Sequence, residues 1–111
     1  MYEINNFREL IYESTERFSE RIAFLQKNEQ GQVETVTYER LKNDAEALGK
    51  ALINRGYKNK KIALSGKNCY EWCLCYLAVT CFVGVIVPVD RELPSEEFCN
   101  ILDFSEAKAF I

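Results

Sequence analysis

Two short polar segments hold the residues of this sequence that are best suited to bind a ligand. Ser65-Gly66-Lys67-Asn68 and Pro88-Val89-Asp90-Arg91-Glu92 each follow a short apolar run with the composition of a buried β-strand. Ligands of open parallel sheets bind beyond the carboxyl ends of the strands, where both segments are predicted to lie. The first segment also leads into a predicted helix, whose free backbone N–H groups favour an anion. A phosphate-binding loop is therefore one hypothesis for the segment around Gly66.

The segment around Gly66 departs from the phosphate-loop pattern in two places. The pattern G-x-x-x-x-G-K-[ST] needs a first glycine where Lys61 stands, and a hydroxyl side chain for magnesium where Asn68 stands. All five glycines are isolated, so the sequence also lacks the G-x-G-x-x-G pattern of dinucleotide sites. We therefore predict an ordinary strand-to-helix turn at Gly66.

Other residue types give little support for catalysis by the chain itself. The sequence has no histidine, which excludes histidine-based acid–base chemistry and histidine metal ligands. It has no G-x-S-x-G nucleophile pattern. Glu96 and Glu97 stand in the first turn of a predicted helix, where carboxylates stabilise the helix dipole. The residues alone predict a ligand-competent edge and identify no reaction.

The cysteines are predicted to be reduced and structural. Their number is odd, and charged residues such as Arg8 and Glu9 interrupt any secretory signal pattern, so we expect a cytoplasmic protein. Three of the thiols are spaced Cys-x3-Cys-x-Cys, which is not the paired spacing of a zinc module, and no metal site is predicted. We expect all five to be small buried hydrophobic residues: Cys69, Cys73, Cys75, Cys81 and Cys99.

The N-terminal part predicts a helix followed by a β-hairpin. Asn6 is the expected cap of a helix that runs to about Phe18. Apolar residues fall close to one face of this helix: Phe7, Leu10, Ile11 and Phe18. Ile22 to Lys27 and Val33 to Val36 predict two strands, joined by a polar connector whose Gly31 can supply a positive φ.

A longer amphipathic helix is predicted next. Thr37 is its expected N-cap, the helix runs to about Arg55, and Gly56 stands where helices commonly end. An apolar stripe follows the helical period: Leu41, Ala45, Leu48 and Leu52.

The C-terminal half alternates between strands and helices, which predicts an α/β fold. The expected elements are a strand Lys61–Leu64, a helix Tyr70 to about Phe82, a strand Val85–Val87, a helix from a Ser95 cap to about Phe104, and a strand Lys108–Ile111. The complete prediction is an N-terminal helix and β-hairpin followed by a βαβαβ unit with a parallel sheet. Residues 72–89 carry no charge, but Gly84 and Pro88 interrupt them, which favours a buried helix and strand over a membrane span.

Length and charge set the remaining limits. The 111 residues suffice for one domain with no internal boundary, and the net charge of −3 argues against nucleic acid as a partner. The sequence stops inside the predicted strand Lys108–Ile111, so we expect a piece cut from a longer protein. An unpaired sheet edge would then be exposed, and self-association through that edge is expected.

Taken together, seven segments resemble the N-terminal portion of the AMP-forming acyl-CoA synthetases, in the long-chain fatty-acid ligase branch. They are Arg21–Phe24, Val36–Leu41, Lys61–Leu64, Asn68–Trp72, Tyr76–Ala78, Val85–Asp90 and Ser105–Lys108. The stretch Thr37-Tyr38-x-x-Leu41 resembles the first core motif of that superfamily, and Gly84 to Asp90 resembles the second. Two details differ: Arg40 stands where glutamate is usual, and Gly84 lies one residue closer to the proline than is common.

The resemblance implies a parent enzyme that uses ATP to convert a carboxylic acid to an acyl-adenylate and then transfers the acyl group to coenzyme A. Magnesium, ATP and coenzyme A would be needed by that enzyme, and its phosphate loop and catalytic lysine would lie outside residues 1–111. The fragment itself is expected to be an inactive scaffold, with the rest of the polypeptide as its main partner. Asp90 and Arg91 are the candidate ligand-binding residues, because the corresponding loop in related synthetases lies near coenzyme A.

A second hypothesis comes from the residues alone. The chain could be a stand-alone flavodoxin-like domain that binds a phosphate-bearing ligand at the Gly66 turn. Binding of ATP, FMN or coenzyme A by the isolated chain would distinguish this hypothesis from the inert scaffold.

Overall fold

The computed structural model describes residues 3–111, and the order of its elements is the predicted one. The elements are α1 Phe7–Phe18, β1 Ile22–Lys27, β2 Val33–Thr37, α2 Tyr38–Asn54, β3 Lys61–Leu64, α3 Tyr70–Ala78, a π-helical turn Val79–Val83, β4 Val85–Pro88, α4 Ser95–Ser105 and β5 Ala109–Phe110. None of the helices in this described part is long and apolar enough to cross a membrane.

The strands form two separate sheets. β1 and β2 pair antiparallel as the predicted hairpin, with an irregularity between Ile22 and Phe24. The other three strands pair in parallel in the order β4-β3-β5, which confirms the predicted βαβαβ unit. β3 is the central strand, and Ile62 and Ala63 at its middle are completely buried.

Local capping signals position two of the helices as the sequence predicts. The side chain of Asn6 accepts a hydrogen bond from the backbone N–H of Glu9 at 2.8 Å. Thr37 Oγ1 accepts from the N–H of Arg40 at 3.2 Å, so the residue that ends β2 is also the N-cap of α2. α2 ends at Asn54, and Gly56, just after the C-cap Arg55, has a φ of 90° that is favourable only for glycine.

The predicted cap of α4 is wrong. Pro94 occupies the N-cap position with an extended ψ of 147°, and Ser95 is the first helical residue. The carbonyl of Pro94 accepts the first helical hydrogen bond, from the N–H of Phe98 at 2.9 Å. The helix therefore begins one residue earlier than the serine signal indicates, and Ser95 makes no side-chain cap.

The helix predicted from Tyr70 to Phe82 widens before it ends. After Ala78 the chain continues as a π-helical turn, Val79–Val83, closed by a 3.0 Å hydrogen bond from the N–H of Gly84 to the carbonyl of Val79. The side-chain hydroxyl of Thr80 bonds back to the carbonyl of Tyr76 at 2.9 Å, an interaction known to bend helices. Gly84 then passes so close to Lys60 that a Cβ atom would overlap its carbonyl oxygen and lie 2.9 Å from its nitrogen.

The last strand is shorter than predicted, although its flanking residues still bond to the sheet. β5 covers only Ala109–Phe110, but the N–H of Lys108 donates to Lys61 and that of Ile111 to Ala63, at 2.8 and 2.9 Å. The predicted range 108–111 therefore describes the hydrogen-bonded segment, and the regular strand is its centre.

The core consists of two clusters joined by α2 and α3. One contains Val36, Leu41 and Tyr70, beside the hairpin. The other contains Ile62, Val79 and Val83, between the parallel sheet and the helices. The predicted apolar stripe of α2 faces this core through the buried Leu41 and Ala45.

α1 is less buried than its apolar pattern suggests. Ile11 and Thr15 are its buried residues, whereas Phe7, Leu10 and Phe18 are 38–45% exposed. The helix lies on the outside of the fold, so only the centre of its predicted face is covered.

Candidate functional site

The two polar segments predicted to lie at one sheet edge meet there in the structure. β3 and β4 run in parallel with Leu64 paired to Pro88, so the segments that follow them leave the sheet side by side. Between them lies a cavity of about 430 Å³, lined by Gly66, Asn68, Trp72 and residues 88–92. Asp90 and Arg91, the candidate ligand-binding residues, are both among these lining residues.

Hydrogen bonds to β3 and within the segment itself hold Asp90–Glu92 in a turn. The N–H of Val89 donates to the carbonyl of Leu64 at 2.8 Å, which extends the pairing of β3 and β4 by one residue. A carboxylate oxygen of Asp90 accepts from the N–H of Glu92 at 2.9 Å. Arg91 forms an ion pair with Glu92 at 3.2 Å, and both side chains are more than half exposed. A surface pair of this kind contributes at most about 1 kcal/mol, so Arg91 can exchange it for a ligand at little cost.

The turn at Gly66 leads into α3, whose N-terminus is already occupied by groups of the protein. Cys69 stands at the N-cap and makes no side-chain cap. The backbone N–H of Tyr70 donates instead to the side-chain oxygen of Gln26, on β1, at 2.9 Å. Glu71 lies in the first turn of α3, and hydrogen bonds from its own backbone N–H and then from the Cys69 thiol lower the pKa of its side chain. Glu71 is therefore a carboxylate.

These contacts weaken the phosphate-loop hypothesis for this segment. Free N–H groups at a helix N-terminus attract an external anion, but here the N–H of Tyr70 is bonded to Gln26 and the N–H of Glu71 to its own carboxylate. The structure supports the prediction of an ordinary strand-to-helix turn. Sequence analysis missed the cap from Gln26 because it comes from a residue 44 positions away.

Tyr70 fixes the beginning of α3 relative to α2 and the hairpin. Its hydroxyl donates to Asp44 at 2.8 Å, and its ring meets that of Phe24 edge-on at 5.3 Å. Burial, and then the hydrogen bond to Asp44, raise the pKa of Tyr70, so it remains a neutral donor. Arg40 pairs with Asp44 at 3.4 Å and stacks over the Tyr70 ring at 5.8 Å. The arginine that departs from the first core motif therefore has a structural role here.

The cysteines are less uniformly buried than predicted. Cys81 is buried, and Cys69, Cys73 and Cys75 are half-buried, but Cys99 is exposed, which contradicts the prediction for that residue. Cys99 lies on α4, a helix with no buried residue, so an apolar residue type alone did not place it in the core. Burial raises the pKa of the Cys73, Cys75 and Cys81 thiols, which makes them poor nucleophiles.

Comparison with known proteins links this fold to a family. Residues 11–111 match the family model described as "AMP-binding enzyme". No curated protein sequence matches the chain.

Three solved structures illustrate the structural likeness. The structure of CmiS6 has a TM-score of 0.84 at 17% identity, covering 99% of this chain and 29% of that one. IdnL1 has a TM-score of 0.87 at 20% identity, covering 98% and 22%. The N-terminal subdomain of Klebsiella oxytoca NpsA has a TM-score of 0.85 at 23% identity, covering 97% and 27%. The chain thus shares the fold of these proteins and spans less than a third of the length of each.

Proposed function

The chain belongs to the family of AMP-binding, adenylate-forming enzymes, and we propose that it is the N-terminal part of a ligase that joins a fatty acid to coenzyme A. The carboxylate would attack the α-phosphate of ATP and release pyrophosphate, and the thiol of coenzyme A would then displace AMP from the acyl-adenylate. The family match over residues 11–111 is the observation that carries this proposal. The choice of a long-chain fatty acid and coenzyme A is supported by the segments that resemble acyl-CoA synthetases, such as Asn68–Trp72 and Gly84–Asp90.

In this proposal ATP and magnesium bind to other parts of the enzyme. Within residues 3–111 no group of three acidic or cysteine side chains could hold a metal ion. All five glycines of the sequence are isolated, whereas close wrapping of a triphosphate needs clustered glycines. The residues present do not fit a magnesium–triphosphate complex, so the proposal assigns that complex to the rest of the enzyme.

In this proposal coenzyme A binds in the cavity between the two loops. Arg91 and the Asn68 amide line it and would bind a phosphate and an amide carbonyl of that cofactor. Bound coenzyme A would supply the thiol that accepts the acyl group. Asp90 and Glu92 add two negative charges beside the positive charge of Arg91, so the segment carries a net −1. We therefore expect tight binding only when further basic groups of the enzyme complete the site.

The rest of the same polypeptide is the proposed partner of the apolar surface near the sheet. Phe104 is 92% exposed, and Val85 and Phe110 are more than half exposed. Within residues 3–111, β4 and β5 are both edge strands, with unpaired backbone groups on their outer sides. A cytoplasmic location is also proposed, since the five cysteines are unpaired thiols, as in reducing compartments.

The test of the reaction uses the proposed full-length enzyme and separates its two half-reactions. Palmitate should drive exchange of pyrophosphate into ATP, and addition of coenzyme A should give the palmitoyl thioester. If an aryl acid drives the exchange and no thioester forms with any acid, the fatty-acid ligase proposal is wrong and an aryl-acid adenylating enzyme replaces it.

The role of Arg91 is tested in the same two assays. Arg91→Ala should raise the KM for coenzyme A about ten-fold, the value expected for loss of one charge-assisted contact, and leave pyrophosphate exchange unchanged. Arg55→Ala, an exposed change at the end of α2, is the matched control. An equal effect of both variants, or a loss of pyrophosphate exchange with Arg91→Ala, would remove Arg91 from the coenzyme A site.

The isolated chain tests the scaffold role directly. Trp72 is the only tryptophan in the sequence and lines the cavity, so its fluorescence reports binding there. Titration with ATP, FMN and coenzyme A should give no saturable change at micromolar concentrations. A Kd below about 10 μM, roughly −7 kcal/mol, would instead support a stand-alone binding domain.

A further inference from the structure

A second cavity lies at the other end of α3 from the two loops. It has a volume of about 250 Å³ and is lined by residues of α1, α2 and the π-helical turn: Arg8, Tyr12, Glu46, Lys50, Ile53 and Phe82. Phe82 follows Trp72 by ten residues along α3 and its extension, which corresponds to about 15 Å of helix. The two cavities share no lining residue.

Phe82 gives this cavity a firmly held aromatic wall. The ring of Tyr12 meets it edge-on at 6.3 Å, and the guanidinium of Arg8 lies 5.2 Å from its centre. On the side of α2, a Cβ atom on Gly49 would lie only 2.9 Å from the Cβ of Phe82, so the glycine permits this close contact. The π-helical turn that carries Phe82 is a feature often found at functional sites.

The charges around this wall favour an anion. The Nε of Arg8 donates to the carbonyl of Cys81 at 3.0 Å, which orients the guanidinium. Its terminal nitrogens form no hydrogen bond or ion pair with the part of the chain that the structure describes. The Lys50 ammonium has no ion-pair or hydrogen-bond partner within residues 3–111. Glu46 accepts from the Tyr12 hydroxyl at 3.3 Å. Partial burial and Glu46 raise the pKa of Tyr12, so Tyr12 adds no negative charge. The lining therefore carries a net charge of +1.

We propose that this cavity binds a small aryl carboxylate, with its ring against Phe82 and Ile53 and its carboxylate near Arg8 and Lys50. A cavity of 150 Å³ can hold benzene, so about 250 Å³ suffices for one ring and a carboxylate. Cationic groups beside an apolar wall select against neutral and cationic ligands of the same shape. The site goes beyond the proposed ligase reaction, because it shares no residue with the loops that would bind coenzyme A.

The test is a titration of the chain with benzoate, followed by the amide chemical shifts of the cavity residues. A ligand of this size should bind with a Kd on the order of 1 mM and shift the amides of Glu46, Ile53 and Phe82. Benzamide and benzylamine are the matched neutral and cationic ligands, and both should bind at least about ten-fold more weakly.

A pair of lysine variants tests the recognition of the carboxylate. Lys50→Gln should weaken benzoate binding about five-fold or more, because it removes one charged donor. Lys58→Gln, an exposed change beyond the end of α2, should leave binding unchanged. Both residues are exposed, so the fold should persist, and identical circular dichroism spectra verify this. Equal affinities of the two variants, equal binding of benzoate and benzamide, or shifts confined to residues 66–72 would each overturn the proposal.

Discussion

Replacing Tyr70 by phenylalanine measures the main polar contact between α2 and α3. The substitution removes one hydroxyl, which donates to Asp44 at 2.8 Å, and keeps the ring, which is 5% exposed. Hydrogen bonds to charged groups contribute about 1.5–3 kcal/mol. Asp44 keeps its pairing with Arg40, and its side chain is 36% exposed, so water can replace part of the lost contact. We therefore expect Tyr70→Phe to lower the free energy of unfolding by about 1–2 kcal/mol at neutral pH.

The pH dependence of this difference gives a sharper test. Burial and Asp44 raise the pKa of Tyr70 in the folded chain above its ordinary value of 10.0. The stabilisation by Tyr70 is complete below the ordinary pKa of 10.0. It is lost as the pH rises from there towards the folded pKa, because the unfolded chain releases the proton first. Each further pH unit removes about 1.4 kcal/mol until the folded pKa is reached. The difference in the free energy of unfolding between the wild type and Tyr70→Phe should be constant up to about pH 9.5 and shrink above it.

Urea denaturation, followed by circular dichroism between about pH 7 and pH 11, measures both quantities. Tyr76→Phe is the matched control, since Tyr76 makes ring contacts with Trp72 and Phe7 but its hydroxyl has no hydrogen bond within residues 3–111. This variant should lie within about 0.5 kcal/mol of the wild type. The reasoning fails if the two variants are equally stable, or if the Tyr70→Phe difference stays constant up to about pH 11.

Three further predictions concern the backbone and the sheet edge. Gly84→Ala should lower the free energy of unfolding by about 2 kcal/mol or more in urea titrations, because the methyl group overlaps the carbonyl of Lys60; a loss below about 0.5 kcal/mol would show that the chain moves aside freely. Thr37→Ala should lower the free energy of unfolding by about 1 kcal/mol, because the N–H of Arg40 loses its cap. Thr37→Ser should keep most of the stability of the wild type, because serine can also cap the helix. Equal losses of stability in the two variants would contradict capping. The chain should self-associate through its open sheet edge, so light scattering should give a mass that rises with concentration, and Phe110→Lys should reduce it. A monomeric mass at all concentrations would contradict this expectation.

Family membership and fold were accessible from the sequence because they rest on many short signals along the chain. The segment Val36–Leu41 already placed a strand end, the Thr37 cap and the first apolar position of α2 in the correct order. The alternation after Lys61 was enough to predict a parallel sheet and the edge at which the two loops meet. Substrate specificity could not be predicted in the same way, because no substrate-lining residue is identified by such signals.

Two predictions were wrong because the type of a single residue did not decide its place in the fold. Ser95 has the residue type of a cap, but Pro94 already has the extended conformation that begins α4. Cys99 has the residue type of a core position, but α4 has no buried residue.

By itself the sequence determined which segments form helices and strands, because caps, glycine turns and apolar periods act between residues at most a few positions apart. Only the tertiary structure decided that Gln26 caps α3, that Tyr70 bonds to Asp44 and that Gly84 meets Lys60. Those contacts join residues between 24 and 44 positions apart, which come together only when the hairpin and the sheet pack against the helices. The composition of the candidate site depends on the same packing, since its two walls follow different strands of one sheet.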